Sequence, residues 1–131
     1  MSTMKVDLLK QSLVYTQTYP LTDAKGVSKL LRDRYHIASR RFYAGDYAAC
    51  HILLDLSSAI ESAKLTEKQT TAVALVYGKW QLTQTEASEV MGIRQDSVSE
   101  LLAKACGKIA KVYEEWNYGD IKITYLGGDR P

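Results

Sequence analysis

Proline is almost missing from this chain. Of 131 residues only Pro20 and Pro131 are prolines, and glycine occurs eight times. Proline removes a backbone donor and glycine adds backbone freedom, so their scarcity leaves long stretches able to be helical. Cysteine is as rare. Cys50 and Cys106 lie far apart, each on or beside the apolar stripe of a predicted helix, and read as small buried hydrophobes. There is no Cys-x-x-Cys pair and no spaced Cys/His set, so no pattern for a structural zinc. No run approaches the roughly 18–20 apolar residues of a membrane span, and the opening MSTMKVDLLKQ has no signal-peptide core. These absences predict a cytoplasmic protein with reduced thiols and no membrane partner. Catalytic patterns are missing too. There is no glycine-rich phosphate loop, no carboxylate pair with a plausible pocket and no nucleophile beside a base. The only histidines are His36 and His51, and His51 does not face its neighbour Cys50 on a helix. The expectation is a protein that is not an enzyme and needs no cofactor or metal.

A strong charge of one sign is also lacking. The net charge is +2; residues 1–64 hold nine Lys and Arg against six Asp and Glu, and residues 65–131 hold eight against nine. Composition alone therefore does not argue for nucleic acid. What is present is ordinary for a globular protein, with 46% apolar and 24% charged residues in a length that suits one compact domain or two small helical layers.

Along the chain, Leu8, Leu9, Leu13 and Val14 share one face and predict a short amphipathic helix from Lys5 to Tyr15. Pro20 breaks the stretch from Tyr15 to Thr22, and Thr22 or Asp23 can cap the next helix. From Asp23 or Val27 to Ala44, apolar Val27, Leu30, Leu31, Tyr35, Ala38 and Phe42 recur at alternating spacings of three and four, as a helix requires. Another face of that helix carries Lys29, Arg32, His36 and Arg40, with Arg41 beside it, the most basic surface in the chain. It reads either as a solvated face or as a patch contacting phosphates or a partner. Gly45 ends this helix and Asp46 caps the next, which runs to Ala63 and packs against it as a hairpin.

The stretch LTEKQTTAVALVYGKWQLTQTEASEVMGIRQDSVSELLAKACGKIAKVYEEW, from Leu65 to Trp116, carries the clearest pattern. Thr66 to Gln69 and Thr83 to Glu86 each fit the Ser/Thr-x-x-Glu/Gln capping box. Gly78 stops the first helix, and Trp80 and Leu82 are expected to seal the joint to the second. Gly92 supplies the left-handed backbone of a tight inter-helix turn. The close crossing of a helix-turn-helix demands a small residue four before that glycine, and Ser88 is there. Met91, Ile93 and Val98 supply the apolar contacts around the turn. The third helix buries Val98, Leu101, Leu102, Ala105, Ile109, Val112, Tyr113 and Trp116. After it, Ile121, Ile123 and Tyr125 alternate with Lys122 and Thr124, a strand pattern. A lone strand needs a partner; a second copy, an edge on another protein and a loosely packed tail all remain open.

With these residues in view, LTEKQ through AKACGKI resembles region 4 of the sigma-70 family over 45 residues, about a third of the chain. The matching elements are Leu-Thr-x-Lys-Gln, a tyrosine near the first helix end, Leu-Thr-x-x-Glu-Ala, and Met-Gly-Ile leading into a helix that ends Ala-x-x-Lys-Ile. The upstream RRFYAGDYAACHILLDLSSAIESAK is similar, more loosely, to small sigma-like or ArpU-like regulators of phages and prophages. The chain is expected to lack the promoter-melting part of a full sigma factor. Two departures stand out: Arg94 replaces the usual Ser or Thr cap, and Ser88 replaces the commoner alanine.

The resemblance implies an all-α fold, with an N-terminal helical region over 1–64 packed on a helix-turn-helix over 65–117 and a tail over 118–131. It implies a DNA-binding transcription regulator whose third helix enters the major groove. Arg94, Gln95, Ser97, Ser99 and Lys104 would face the groove, with Lys108 further along. Thr83, Gln84 and Thr85 would grip a phosphate at the preceding helix start. Lys29, Arg32, Arg40 and Arg41 form the secondary basic face. Asp96 and Glu100 oppose this, because phosphates repel carboxylates. Affinity is therefore expected to draw on that basic face, a homodimer or RNA polymerase. The rivals are a module that binds RNA polymerase or a regulator without reading DNA, and a phage DNA-packaging recognition subunit.

Overall fold

The computed structural model describes residues 14–43 and 47–126, with side-chain surroundings for 17–38 and 48–123. In chain order the elements are β1 (Val14–Tyr19), α1 (Ala24–Tyr43), α2 (Tyr47–Ser62), α3 (Glu67–Tyr77), α4 (Gln84–Met91), α5 (Gln95–Glu115) and β2 (Ile121–Leu126). The architecture is predominantly α-helical, with a single two-stranded antiparallel sheet among the described residues.

That sheet corrects two expectations. β2 pairs with β1 of the same chain, Val14 opposite Leu126 and Tyr19 opposite Ile121, rather than with a second copy or another protein's edge. The helix expected to reach Tyr15 is strand from Val14 onward; its earlier part lies outside the described residues. Val-Tyr-Thr-Gln-Thr-Tyr is rich in β-branched and aromatic residues, which suits a half-buried pleat. Its partner lies more than a hundred residues away, where no local periodicity points to it. Tyr19 and Ile123 are buried and Lys122 is exposed, so one face of the sheet closes on the core. The Gly45–Asp46 turn also lies outside the described residues.

Two apolar clusters share α5. The larger joins Tyr19 of β1, Leu21 of the following turn and Val27, Leu30, Leu31 and Ile37 of α1 with Leu56 and Ala59 of α2 and with Ile109 and Tyr113 of α5. The smaller joins Ala72 and Val73 of α3 and Ala87 of α4 with Val98, Leu102 and Ala105 of α5. Leu65 and Tyr77 touch both. The C-terminal half of α5 thus belongs to the N-terminal layer and its first half to the helix-turn-helix.

The inward stripe of α1 differs in detail from the expected one. It runs Val27, Leu30, Leu31, Ile37, while Tyr35 is 39% exposed under the Arg34 guanidinium, 5.2 Å from the ring centre. Trp116 and Trp80, both expected inside, are 41% and 69% exposed. Trp116 caps the end of α5, beyond the core-facing turn, and Lys79 sits 5.9 Å over the Trp80 ring. Cys106 is buried and Cys50 half-buried, both as free thiols.

Gly26 lets α1 start against the preceding turn. A β-carbon there would lie 2.0 Å from the Pro20 carbonyl oxygen. One polar bond pins the strand to α1: the buried Tyr19 hydroxyl donates to Asp33 Oδ2 at 2.6 Å. Asp33 is itself buried, with Arg32 Nε 3.7 Å away. Removing a partner from a buried carboxylate costs more than the bond contributes, because the charge stays desolvated. Tyr19→Phe should therefore lower stability by about 1–3 kcal/mol in urea unfolding, with little change in the m-value.

Candidate nucleic-acid interface

The helix-turn-helix is set by local chemistry at each end of α4. The Thr83 hydroxyl accepts from the Glu86 amide at 3.1 Å, and the Thr83 amide donates to Glu86 Oε1 at 2.9 Å. Hydrogen bonds from the Thr83 backbone and then its side chain hold the Glu86 carboxyl below its ordinary value. A lowered carboxyl pKa stabilises the fold above the unfolded-state value, and that contribution fades as pH falls through the folded value. At the other end Gly92 has φ 67 and ψ 33, in the left-handed region. Its N–H bonds back to the Glu89 and Ser88 carbonyls and that of Ile93 to the Ser88 carbonyl, and the Ser88 hydroxyl donates to the Thr85 carbonyl at 2.6 Å. Ser88 is buried at the crossing, as the small-residue spacing requires.

α3 is capped in the same way. Thr66 and Gln69 close a complete box, and the buried Gln69 oxygen also accepts from Lys108 Nζ at 2.8 Å. Lys108 is thereby tied across from α5 to α3, half-buried. Its place in the sequence suggests an outer phosphate anchor; the structure adds this tie to α3.

The expected DNA-facing side chains differ in their surroundings. Arg94, Gln95, Ser99 and Lys104 are exposed on α5 and the turn before it, while Ser97 is half-buried. Arg94 is the N-cap of α5 without a side-chain cap bond; its carbonyl takes the Ser97 and Val98 amides. Across the turn, the Thr85 hydroxyl donates to Gln95 Oε1 at 3.2 Å. That bond orients the Gln95 amide from the neighbouring helix and leaves its nitrogen and a second carbonyl lone pair for another contact.

The two acids are engaged as well. Asp96 lies 3.5 Å from Arg94 and Glu100 lies 3.0 Å from Lys104, on side chains that are 62–89% exposed. The two cations and two acids of this face cancel, so the first half of α5 presents hydrogen-bonding groups without net charge.

The setting of Gln84 and Ser99 is the least legible from sequence. Gln84 and Ser99 line a cleft of about 520 Å³ whose other wall is α1, with Lys25, Lys29 and Arg32. Ser28 and Tyr77 meet there, their hydroxyls 2.9 Å apart. Two surfaces expected separately, the basic face and the edge of the third helix, are therefore one. Lys25 is absent from the expected basic face, although its spacing of four before Lys29 extends the stripe. The side chains of Arg40 and Arg41 lie outside the described residues.

Among the described residues no group of three or more His, Cys, Asp or Glu side chains is placed to hold a metal, and no helix is long and apolar enough to cross a membrane. Geometrically the unit is a helix-turn-helix with a basic helix beside its third helix. Comparisons with protein-family models, curated proteins and solved structures find no match for the chain.

A β-carbon at Gly92 would meet no atom within 4 Å, so a substitution there tests backbone conformation alone. Gly92→Ala should destabilise by about 1–2 kcal/mol, and Gly92→Asn by less, since asparagine tolerates the left-handed region. Thermal unfolding of the two variants checks this order.

Proposed function

We propose that this chain is a double-stranded DNA-binding transcription regulator of phage or prophage type, similar to sigma-70 region 4, with the first half of α5 in the major groove. The observation that carries this reading is the turn itself. Ser88 and Gly92 bring α4 and α5 close enough to leave Arg94, Gln95 and Ser99 in one outward row. In such a docking the oriented Gln95 amide pairs with an adenine edge and Arg94 reaches a guanine or a phosphate. The start of α4, with Thr83, Gln84 and Thr85, meets the backbone on one side of the groove, and Lys29 and Arg32 meet it on the other. RNA polymerase is the protein partner that the resemblance implies.

The paired charges weigh on this docking. An exposed ion pair contributes about 0–1 kcal/mol. A DNA phosphate can displace Asp96 from Arg94 or Glu100 from Lys104 at little cost, but the displaced carboxylates remain in the groove. Binding is expected to be modest for one chain and steeply dependent on salt.

A second reading is favoured by the same charges and by exposed apolar side chains. Trp80, just before α4, and Val90, within it, are 69% and 65% exposed. They suit contact with a protein such as RNA polymerase without DNA reading.

Sites selected from a random duplex pool, followed by a salt titration, test the proposal. With three to five phosphate contacts, the slope of log K against log salt should be roughly −3 to −5. Gln95→Ala should lose about 1–3 kcal/mol on the selected site and little on random duplex. Lys29→Ala should weaken both equally and flatten the slope by about one. Glu100→Gln, which removes an acid and releases Lys104, should tighten binding to both. Absence of duplex binding at low salt, with polymerase binding intact, would replace this reading with the second.

A further inference from the structure

We propose that the cleft between α1 and α5 binds a small amphipathic anion, a phosphate, sulfonate or carboxylate on an apolar body, and that its occupant competes with DNA for the α1 cations. The competition rests on the DNA-binding reading above; the ligand site does not.

Charge comes first. Lys25, Lys29 and Arg32 stand at successive turns of one α1 face, and none of the described residues lining the cleft is acidic. This contrasts with the outer row of α5, where each cation has its own carboxylate. Arg32 does reach toward Asp33, 3.7 Å away, but that carboxylate is buried on the core side and already takes the Tyr19 hydroxyl. The thiol and the phenol lining the cleft add no negative charge. Burial pushes the Cys106 thiol up to about 11, and it raises the Tyr77 hydroxyl above its ordinary value.

Shape and lining come next. Leu102, Ala103 and Cys106 give the α5 wall an apolar surface, and Gln84 and Ser99 add polar groups to the lining. This is the usual composition of a small-molecule site, a mostly apolar hollow with a few convergent polar groups. Size selects among occupants. The cleft holds about 520 Å³, within the roughly 300–1,000 Å³ of ligand pockets. A bare inorganic phosphate would fill a small part of it. One turn of a partner helix, about 10 Å across and 5.4 Å long, would nearly exhaust it. An anionic head against α1 with an apolar body against Leu102 and Ala103 uses both walls.

The site shares Ser99 and Gln84 with the proposed DNA-facing surface and draws on the same Lys29 and Arg32. A bound anion offsets part of this positive charge and occupies that edge, so it lowers affinity for DNA. By linkage, DNA lowers affinity for the anion by the same factor.

The test uses the whole chain and the fluorescent probe 8-anilinonaphthalene-1-sulfonate, with neutral N-phenyl-1-naphthylamine as its uncharged counterpart. One saturable site is expected for the sulfonate, and binding of the neutral compound at least about tenfold weaker. Lys25→Ala with Lys29→Ala should weaken the sulfonate at least about tenfold. Ala103→Trp, at an exposed position, should block the cleft with all three cations in place. Both variants should keep the wild-type circular dichroism and hydrodynamic radius. Equal binding of the two probes, or sulfonate binding untouched by both variants, overturns the site. In the second arm, saturating sulfonate should reduce affinity for a duplex of about 30 base pairs at least threefold at low salt. Unchanged duplex affinity with the probe bound overturns the competition. Failure of the wild-type chain to bind any duplex overturns the DNA reading and the competition with it, while the first arm still decides the ligand site.

Discussion

Helix α5 is held at both ends by different partners, and the rest of the structure depends on that. Its first half closes the small core under α3 and α4 through Val98, Leu102 and Ala105. Its second half closes the larger core under β1, α1 and α2 through Ile109 and Tyr113. A close-packed interior tolerates little sliding, because a mismatch of even one methylene is felt. A rigid helix that belongs to two cores therefore fixes their relative orientation. Neither layer can turn without lifting Tyr77 or Leu65, which touch both. This is why the basic face of α1 has a defined place beside α5, and why the cleft between them has two walls of opposite character.

The same constraint explains the strand pair. β1 packs Tyr19 into the larger core and bonds it to Asp33, while β2 follows directly from α5 and packs Ile123 beside it. Between α5 and β2, the Tyr118 hydroxyl donates to Asp55 of α2 at 2.7 Å and its ring meets Tyr113 edge-on at 4.9 Å. A two-stranded ribbon is marginal by itself. Here it is backed by helices, and it ties the segment before α1 to the segment after α5.

Features with a local signal are legible in the sequence. The capping boxes at Thr66 and Thr83, the turn at Gly92, the small Ser88 and the α5 stripe up to Tyr113 all depend on residues within a few turns of one another. Features whose deciding partner is distant are not. Val14 and Tyr15 read as helix because their strand partners, Leu126 and Tyr125, lie at the other end of the chain. The strand pattern at Ile121–Leu126 is visible, but not its partner. Lys108 looks like one more basic residue on α5 until the fold sets Gln69 beside it. The candidate site divides in the same way. That Gln95 and Ser99 stand one turn apart on one face follows from helix phase alone, whereas Lys29 and Ser99 line one cleft only because of the way α1 packs on α5.

Charge distribution then separates two kinds of surface that composition cannot distinguish. On the exposed first half of α5 each cation lies beside an acid, Arg94 with Asp96 and Lys104 with Glu100, so the local field there is nearly neutral. In the cleft three cations stand without an acid among the described lining residues, and the neighbouring thiol and phenol stay neutral. An approaching anion is drawn more strongly to the second surface than to the first. For a polyanion, the cleft side would set the encounter and the α5 row the register, since charge governs association and pairing geometry governs choice. A net charge of only +2 is compatible with such a division, because what matters at the surface is the few charges within a screening length of about 8–10 Å rather than the total over the chain.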